Sequence, residues 1–283
     1  MKHILLPTDF SDTANNAFLY ALQLANQLDV KLFVLYSYVP PILSSTHGGQ
    51  PELLNSVYQE VELSKFDFFK KKVPLLHELA EQHQLDDSKL IFLFEQGTVV
   101  SSVKKVLAEE DIRLVVMGTH GVSGIHKQYV GTNTVAVIRN IQQPVLAIPE
   151  HATYSPIRHI AFTTLFREKD ASALAEIIEI SKSLNAKLTC VNVMSDAADP
   201  SDALLHADIW GKRFQDEHLE FLFLEKKNSV EETVNKFIAE NGIDLLAVVK
   251  RNRNFFDRLV SSSLSNKLAF HSETPILVFH EDK

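Results

Sequence analysis

Three glycines in the first half of the chain have a spacing that suits the binding of a phosphate group. Gly118, Gly121 and Gly131 lie in LVVMGTHGVSGIHKQYVGTNTVAVI, which reads as an apolar strand, a loop and a helix that opens with Thr132 and Asn133. A bound group can approach backbone N–H groups closely where side chains are absent, and a helix N-terminus adds positive potential. These residue types therefore predict an anion site between the strand and the helix.

A second unusual loop, Pro7-Thr8-Asp9, comes at the end of the first apolar run of the chain. An acidic side chain beside a bound nucleotide commonly accepts hydrogen bonds from ribose hydroxyls. Each loop alone has a purely structural explanation, since glycine-rich turns and an Asp before a helix also occur without a ligand. The two loops together favour a nucleotide. The chain lacks both the P-loop pattern and G-x-G-x-x-G, so neither of those nucleotide-binding folds is predicted.

The chain is an internal repeat of two units. KHILLPTDF near the start matches RHIAFTTLF in the second half, and IQQPVLAIPE matches SETPILVFHE, with Pro144 opposite Pro275. We define the first unit as residues 1–150 and the second as 156–283, joined by the linker 151–156. The second unit lacks the ligand chemistry of the first. In this alignment Gly118, Gly121 and Gly131 fall opposite Val249, Asn252 and Ser262, and Asp9 falls opposite Leu165.

The order of apolar and amphipathic stretches predicts the fold of each unit. Apolar strands alternate with amphipathic helices, which implies a parallel sheet covered on both faces and right-handed crossovers. The first helix is expected from Ser11 to Leu28, with Ser11 as its N-cap. We predict two tandem doubly wound α/β sheets of five strands in the order 3-2-1-4-5. Strands 1 and 4 then adjoin at the switch point where ligands bind, so the loops 7–9 and 118–121 converge.

The last strand of each unit is short and apolar and is expected at the edge of its sheet. These strands are Val145–Pro149 and Ile276–His280. Because exposed edges pair unless they are blocked, the two units are expected to join through them within one chain, as a pseudo-dimer.

Composition excludes several classes of partner. The 283 residues carry a formal net charge of -8, and no run of Lys or Arg exceeds three residues, so no nucleic acid is expected. No apolar stretch approaches the ~18 residues of a membrane span, and the N-terminus does not resemble a signal peptide, which predicts a cytoplasmic protein with no membrane partner. Cys190 lies in an apolar run and is expected to be a buried thiol. The 12 histidines lack metal-site spacings, so no metal site is predicted.

The pattern G-x2-G-x9-G-T from Gly118 to Thr132, with PTDFS at the first strand, resembles the universal stress proteins in their tandem, two-domain form. The resemblance implies an adenine-nucleotide α-hydrolase-like fold and a stress-response regulator or sensor that binds ATP, with Mg²⁺, in the first unit. It further implies that Asp9 binds the ribose. Pro7 and Thr8 would line the adenine pocket, and backbone groups near Ser37 would read the base edge.

The resemblance also assigns the phosphate side of the site. Gly118 and Gly121 would pass close to the ribose and phosphates, while Gly131, Thr132 and Asn133 would hold the phosphates. His120 lies in the same loop and could add charge near the phosphates, although this role does not follow from the core motif. The candidate nucleotide-binding residues are therefore Pro7, Thr8, Asp9, Ser37, Gly118, His120, Gly121, Gly131, Thr132 and Asn133.

Two alternative functions remain open at this point. One is a slow ATPase or another adenine-nucleotide hydrolase that uses the same pocket, and the other is a nucleotide-free interaction scaffold. ATP hydrolysis needs a placed base and a Mg²⁺ ligand, and the sequence identifies neither, so no catalytic residue is assigned and an enzyme is the less favoured reading. Association of two chains into a homodimer is compatible with every one of these functions.

Overall fold

Strands and helices alternate along the chain, as the apolar periodicity predicts. The computed structural model of the protein describes residues 2–41, 51–119, 132–194, 200–215, 219–250 and 274–281, with the backbone alone for 51–54, 132 and 200–203. The strands of the first unit are β1 His3–Thr8, β2 Leu32–Tyr38, β3 Leu90–Gln96, β4 Ile112–Thr119 and β5 Val145–Pro149. Its helices are α1 Asp12–Leu28, α2 Pro51–Gln82, α3 Val99–Glu109 and α4 Thr132–Asn140.

The second unit repeats this order of elements in its described residues. Its strands are β6 His159–Thr163, β7 Lys187–Met194, β8 Leu219–Glu225, β9 Leu245–Lys250 and β10 Ile276–His280. Its described helices are α5 Ala171–Leu184, α6 Pro200–Arg213 and α7 Val230–Asn241, and a 3-10 turn, Glu168–Asp170, precedes α5.

The described strands form one sheet of ten, in the order β3-β2-β1-β4-β5-β10-β9-β6-β7-β8. Within each unit the strands are parallel and follow the order 3-2-1-4-5, so the predicted fold class is confirmed. β5 and β10 pair in antiparallel fashion, with Leu146 opposite Leu277. The final strand of each unit therefore lies in the middle of a continuous sheet. We call this β5–β10 pairing the seam.

The first helix shows why its sequence folds locally as it does. The Ser11 hydroxyl accepts a hydrogen bond from the backbone N–H of Ala14 at 3.2 Å, which confirms Ser11 as the N-cap. The helix ends at Leu28, and the next residue, Asp29, takes a left-handed conformation with φ 56°. On its buried face Ala17 and Phe18 are 0% exposed. Burial of a side chain like that of Phe18 contributes about 1.5–3 kcal/mol to folding.

Hydrophobic cores cover both faces of the sheet. One core receives residues of α1, α2, α5 and α6, and the other receives residues of α3, α4 and α7. Cys190 on β7 is free and 0% exposed, as predicted, and burial raises the pKa of its thiol. No helix among the described residues combines the length and the apolar character needed to cross a bilayer.

His280 ends the seam strand β10, and its pKa lies far below that of a free imidazole. Burial and, to a smaller extent, the positive charge of Lys250 on β9 together lower the pKa of His280 to about 4. Its Nε2 atom is buried without a hydrogen-bond partner. The unfolded chain takes up a proton near pH 6.5, whereas the folded chain takes it up only near pH 4. Acidification through this window therefore favours unfolding.

We expect His280→Gln to flatten this part of the pH dependence of stability. Between pH 7 and 4.5 the wild type should lose about 1–2 kcal/mol more unfolding free energy than the variant, less than full linkage gives because the ring is partly exposed. Urea unfolding of both proteins at several pH values measures this difference. Equal pH slopes for the two proteins would contradict it.

Candidate functional site

The carboxyl ends of β2, β1 and β4 lie side by side at one edge of the sheet. β1 pairs in parallel with β2, where Thr8 is opposite Tyr36, and with β4, where Leu5 is opposite Val115. The sheet order places the switch point between β1 and β4. Of the sequence-predicted site residues, the structure brings Pro7–Asp9, Ser37 and Gly118 to these adjoining strand ends.

The turn after β1 holds Asp9 at the surface. The Thr8 hydroxyl accepts a hydrogen bond from the backbone N–H of Phe10 at 2.9 Å, and Phe10 takes the left-handed conformation with φ 61°. The turn buries the Phe10 ring and leaves Asp9 exposed. Asp9 Oδ1 accepts a hydrogen bond from the backbone N–H of Ser11 at 2.9 Å. An ionised carboxylate has about four acceptor positions, so Asp9 retains capacity for a hydroxyl donor.

An aromatic cluster supports this turn on one face of the sheet. The Phe10 and Tyr36 ring centroids are 5.3 Å apart, and Tyr36 stacks with Phe69 of α2 at 6.1 Å. Burial raises the pKa of the Tyr36 hydroxyl, and the nearby charge of Asp9 raises it further. Helix α2 therefore packs on this face of the sheet through Phe69. Sequence reasoning missed Tyr36 as a residue that supports the site. Side chains alternate along a strand, so Tyr36 and its neighbour Ser37 on β2 lie on opposite faces of the sheet.

Gly118 is required by packing next to the predicted phosphate loop. A Cβ atom added at Gly118 would lie 2.7 Å from the backbone oxygen of Thr13 and 2.9 Å from its Cγ2. Real Cβ atoms essentially never approach a neighbour that closely. The Gly118 carbonyl accepts a hydrogen bond from the Thr134 hydroxyl of α4 at 3.0 Å. The end of β4 thus contacts the first turn of α1 and is bonded to α4, and this packing needs a glycine whether or not a phosphate binds.

Four predicted site residues are described only in part or not at all. His120, Gly121 and Gly131 lie outside the described residues. Thr132 begins α4 and is described by its backbone alone, while Asn133 is exposed in the first turn of that helix. Across the described parts of the chain, no group of three or more His, Cys, Asp or Glu side chains is placed to hold a metal ion.

The second unit keeps the turn but not its acidic residue. The Thr164 hydroxyl accepts a hydrogen bond from the backbone N–H of Phe166 at 2.9 Å, and Phe166 has φ 53°. Between them Leu165, 46% exposed, occupies the place of Asp9. A ribose hydroxyl has no side-chain acceptor at this position.

The β4 strand end is also changed in the second unit. Val249 lies opposite Phe279 on β10, just as Gly118 lies opposite Ile148 on β5. The register therefore matches the alignment made from the sequence. Lys169, the counterpart of Thr13, lies in the 3-10 turn that precedes α5. The positions of Asn252 and Ser262 fall outside the described residues.

Comparisons with known proteins agree with this architecture. Residues 1–149 and 156–280 each match the family model of the universal stress protein family. Universal stress protein Slr1230 of Synechocystis sp. is 23% identical over 99% of this chain and 100% of its own length. Universal stress protein MJ0531 of Methanocaldococcus jannaschii is 26% identical over 52% of this chain and 81% of its own length.

A solved structure extends the likeness to the fold of the whole chain. The universal stress protein from Archaeoglobus fulgidus superposes with a TM-score of 0.68 at 16% identity, covering 99% of this chain and 98% of that one. The two family matches together account for nearly all of the sequence. The chain therefore belongs to the universal stress protein family and carries two of its domains in tandem.

Proposed function

We propose that the protein is an ATP-binding regulator with one nucleotide site, at the carboxyl ends of β1, β2 and β4 of the first unit. The observation that carries the proposal is the exposed Asp9 carboxylate, which is held at the switch point. The neighbouring strand is β4, which carries Gly118, the first glycine of the predicted phosphate loop. Open α/β sheets bind ligands at this position.

Each part of the nucleotide has a proposed partner in this site. Asp9 accepts hydrogen bonds from the ribose, Pro7 and Thr8 line the adenine pocket, and the backbone at Ser37 reads the base edge. The phosphates bind at the start of α4, where the helix N-terminus supplies positive potential. The residues proposed for the phosphates are Gly118, His120, Gly121, Gly131, Thr132 and Asn133. Mg²⁺ would enter with ATP, held mainly by phosphate oxygens and water.

The regulatory step in this proposal is a population shift in the cytoplasm. ATP changes the protein only to the extent that it binds one conformation more tightly than another. The segment 118–131 is the part of the site that ATP would stabilise, and that segment would present or withhold a surface for a partner during a stress response. A homodimer of chains would need a surface other than the seam, because β5 and β10 already pair within one chain.

The test is nucleotide binding by the purified protein. Denaturation should release a bound adenine nucleotide, and titration with ATP and Mg²⁺ should give a micromolar Kd, about -8 kcal/mol. Gly131→Val should weaken binding at least about tenfold, because a branched side chain blocks close approach of a phosphate to the backbone. Gly211→Ala on α6 is the control, since its new Cβ meets only a Phe221 ring atom at 3.6 Å.

Two outcomes would change the proposed function. Absence of ATP binding by the wild type at millimolar concentrations would refute it and favour a nucleotide-free scaffold. ADP formation from ATP that remains after contaminating ATPases have been removed, and that disappears in Asp9→Ala, would instead indicate a slow ATPase.

A further inference from the structure

The linker between the units is docked on the first unit, at the end of β5. The Asn16 side-chain amide of α1 donates hydrogen bonds to the backbone oxygens of Pro149 at 3.2 Å and Ala152 at 3.0 Å. Ala152 is 2% exposed. The Tyr154 ring packs edge-on against Tyr20 of α1, with the ring centroids 4.8 Å apart. The α1 helix and the end of β5 therefore form a receptor for the turn 149–152 and the linker residues that follow it.

The matching place in the second unit is a cavity. By the repeat alignment Ser172 replaces Asn16, Glu176 replaces Tyr20 and His280 replaces Pro149. The cavity here has a volume of about 240 Å³. We call it the seam cavity, and its lining includes Gln142, Ser172, Ala173, Glu176, His280 and Glu281.

The shorter side chains explain why this space is open. Asn16 reaches the strand-end carbonyl of Pro149, but no hydrogen bond joins Ser172 to His280 in the described part of the chain. Glu176 is smaller than the tyrosine it replaces and turns to Arg113, whose Nε donates to Glu176 Oε1 at 3.0 Å. The second unit thus lacks both the amide donor and the ring that hold the linker in the first.

The polar groups of the seam cavity are mainly hydrogen-bond acceptors. Of the two carboxylates, Glu176 pairs with Arg113, and Glu281 has no ion-pair partner among the described residues. Lys250 is the strand neighbour of His280 and its positive charge reaches that ring, while its Nζ donates to the backbone oxygen of Ile138 in α4. In the first unit the Asn16 amide supplies hydrogen-bond donors at this place, and the second unit has no such amide. The cavity therefore offers acceptors to a group with several N–H donors, and Glu281 is the lining carboxylate that favours a positive charge on that group.

We propose that the seam cavity binds a guanidinium or ammonium group on a short alkyl chain, carried either by a small free cation or by a basic side chain of a protein partner. A volume of about 240 Å³ is below the ~300–1,000 Å³ of drug-sized ligand pockets and suits one such side chain. A guanidinium offers five N–H donors in a rigid plane, and an ammonium offers three. The proposal is independent of the nucleotide site.

The experiment is ¹³C-methyl NMR on the full chain, with the Ala173 methyl group as the reporter inside the cavity. The probes are butylguanidinium, acetyl-Ala-Arg-Ala-amide and the same tripeptide with neutral citrulline in place of arginine. The two cationic probes should shift the Ala173 signal saturably with a Kd near or below about 1 mM, and the citrulline peptide should bind at least about tenfold more weakly. Tripeptide binding tighter than butylguanidinium by tenfold or more identifies a protein side chain, and equal binding identifies a free cation.

Two variants test whether binding is local to the cavity. Glu281→Gln should weaken the cationic probes about tenfold, since it removes the carboxylate without an ion-pair partner. Ser172→Asn should abolish binding, because it restores the amide that bonds the strand-end carbonyl in the first unit. Glu179→Gln, on the same helix but outside the lining, is the matched control. Equal binding of the arginine and citrulline peptides, no saturable Ala173 shift, or full affinity in Glu281→Gln would overturn the proposal.

Discussion

Replacing Asp9 with Leu should lower the affinity of the protein for ATP by about 10- to 100-fold while leaving its fold intact. A hydrogen bond to a charged group contributes about 1.5–3 kcal/mol, and Leu offers no acceptor to the ribose. The fold should tolerate the change because Leu165 occupies the same turn in the second unit, with φ 53° at Phe166 against 61° at Phe10. Titration calorimetry with ATP and Mg²⁺ measures the affinity, and circular dichroism checks the fold.

The reciprocal substitution in the second unit is the control for this result. Leu165→Asp should leave ATP binding unchanged and should create no second site, because Val249 stands where the first unit has Gly118. Unchanged affinity in Asp9→Leu would show that the acidic residue does not bind the nucleotide.

Gly118→Val should destabilise the protein by about 3 kcal/mol or more, even without nucleotide. The first atom of the new side chain would lie 2.7 Å from the backbone oxygen of Thr13, so α1 or β4 must move. Overpacking of this kind typically costs about 1–3 kcal/mol, and backbone is the least yielding neighbour. Urea unfolding in nucleotide-free buffer gives the free energies of unfolding.

Gly211→Ala is the matched control for the glycine at position 118. Gly211 lies in a helix where an added Cβ makes only an ordinary contact, so Ala should be neutral or stabilise by up to about 1 kcal/mol. If Gly118→Val is as stable as the wild type, the close approach of β4 to α1 is not a constraint on folding, and the glycine would then serve a ligand alone.

Local features of the sequence were sufficient to predict much of the fold. The alternation of apolar and amphipathic stretches gave the order of elements, and the repeat gave two units with the same strand order. The Ser11 cap was predictable because a cap depends on residues within one helical turn. The adjacency of the Asp9 turn and the β4 strand end followed from the strand order alone.

Contacts between residues far apart in the chain could not be predicted from the sequence. Nothing near Gly118 in the chain reveals that Thr13 lies against it, or that Asn16 binds the linker backbone at Ala152. Each of these contacts joins segments more than 100 residues apart, and each depends on how helices sit on the sheet. The sequence predicted that the last strands would pair at the seam, but it did not reveal the cavity beside the seam. That cavity lies where Ser172 stands in place of the first unit's Asn16.

The claim that one chain binds one ATP, in the first unit, is tested most directly by the stoichiometry of ATP binding. Calorimetric titration of nucleotide-free protein with ATP and Mg²⁺ should give one site per chain, and the affinity of that site should fall about 10- to 100-fold in Asp9→Leu. Two sites per chain, or one site that survives unchanged in Asp9→Leu, would contradict the account.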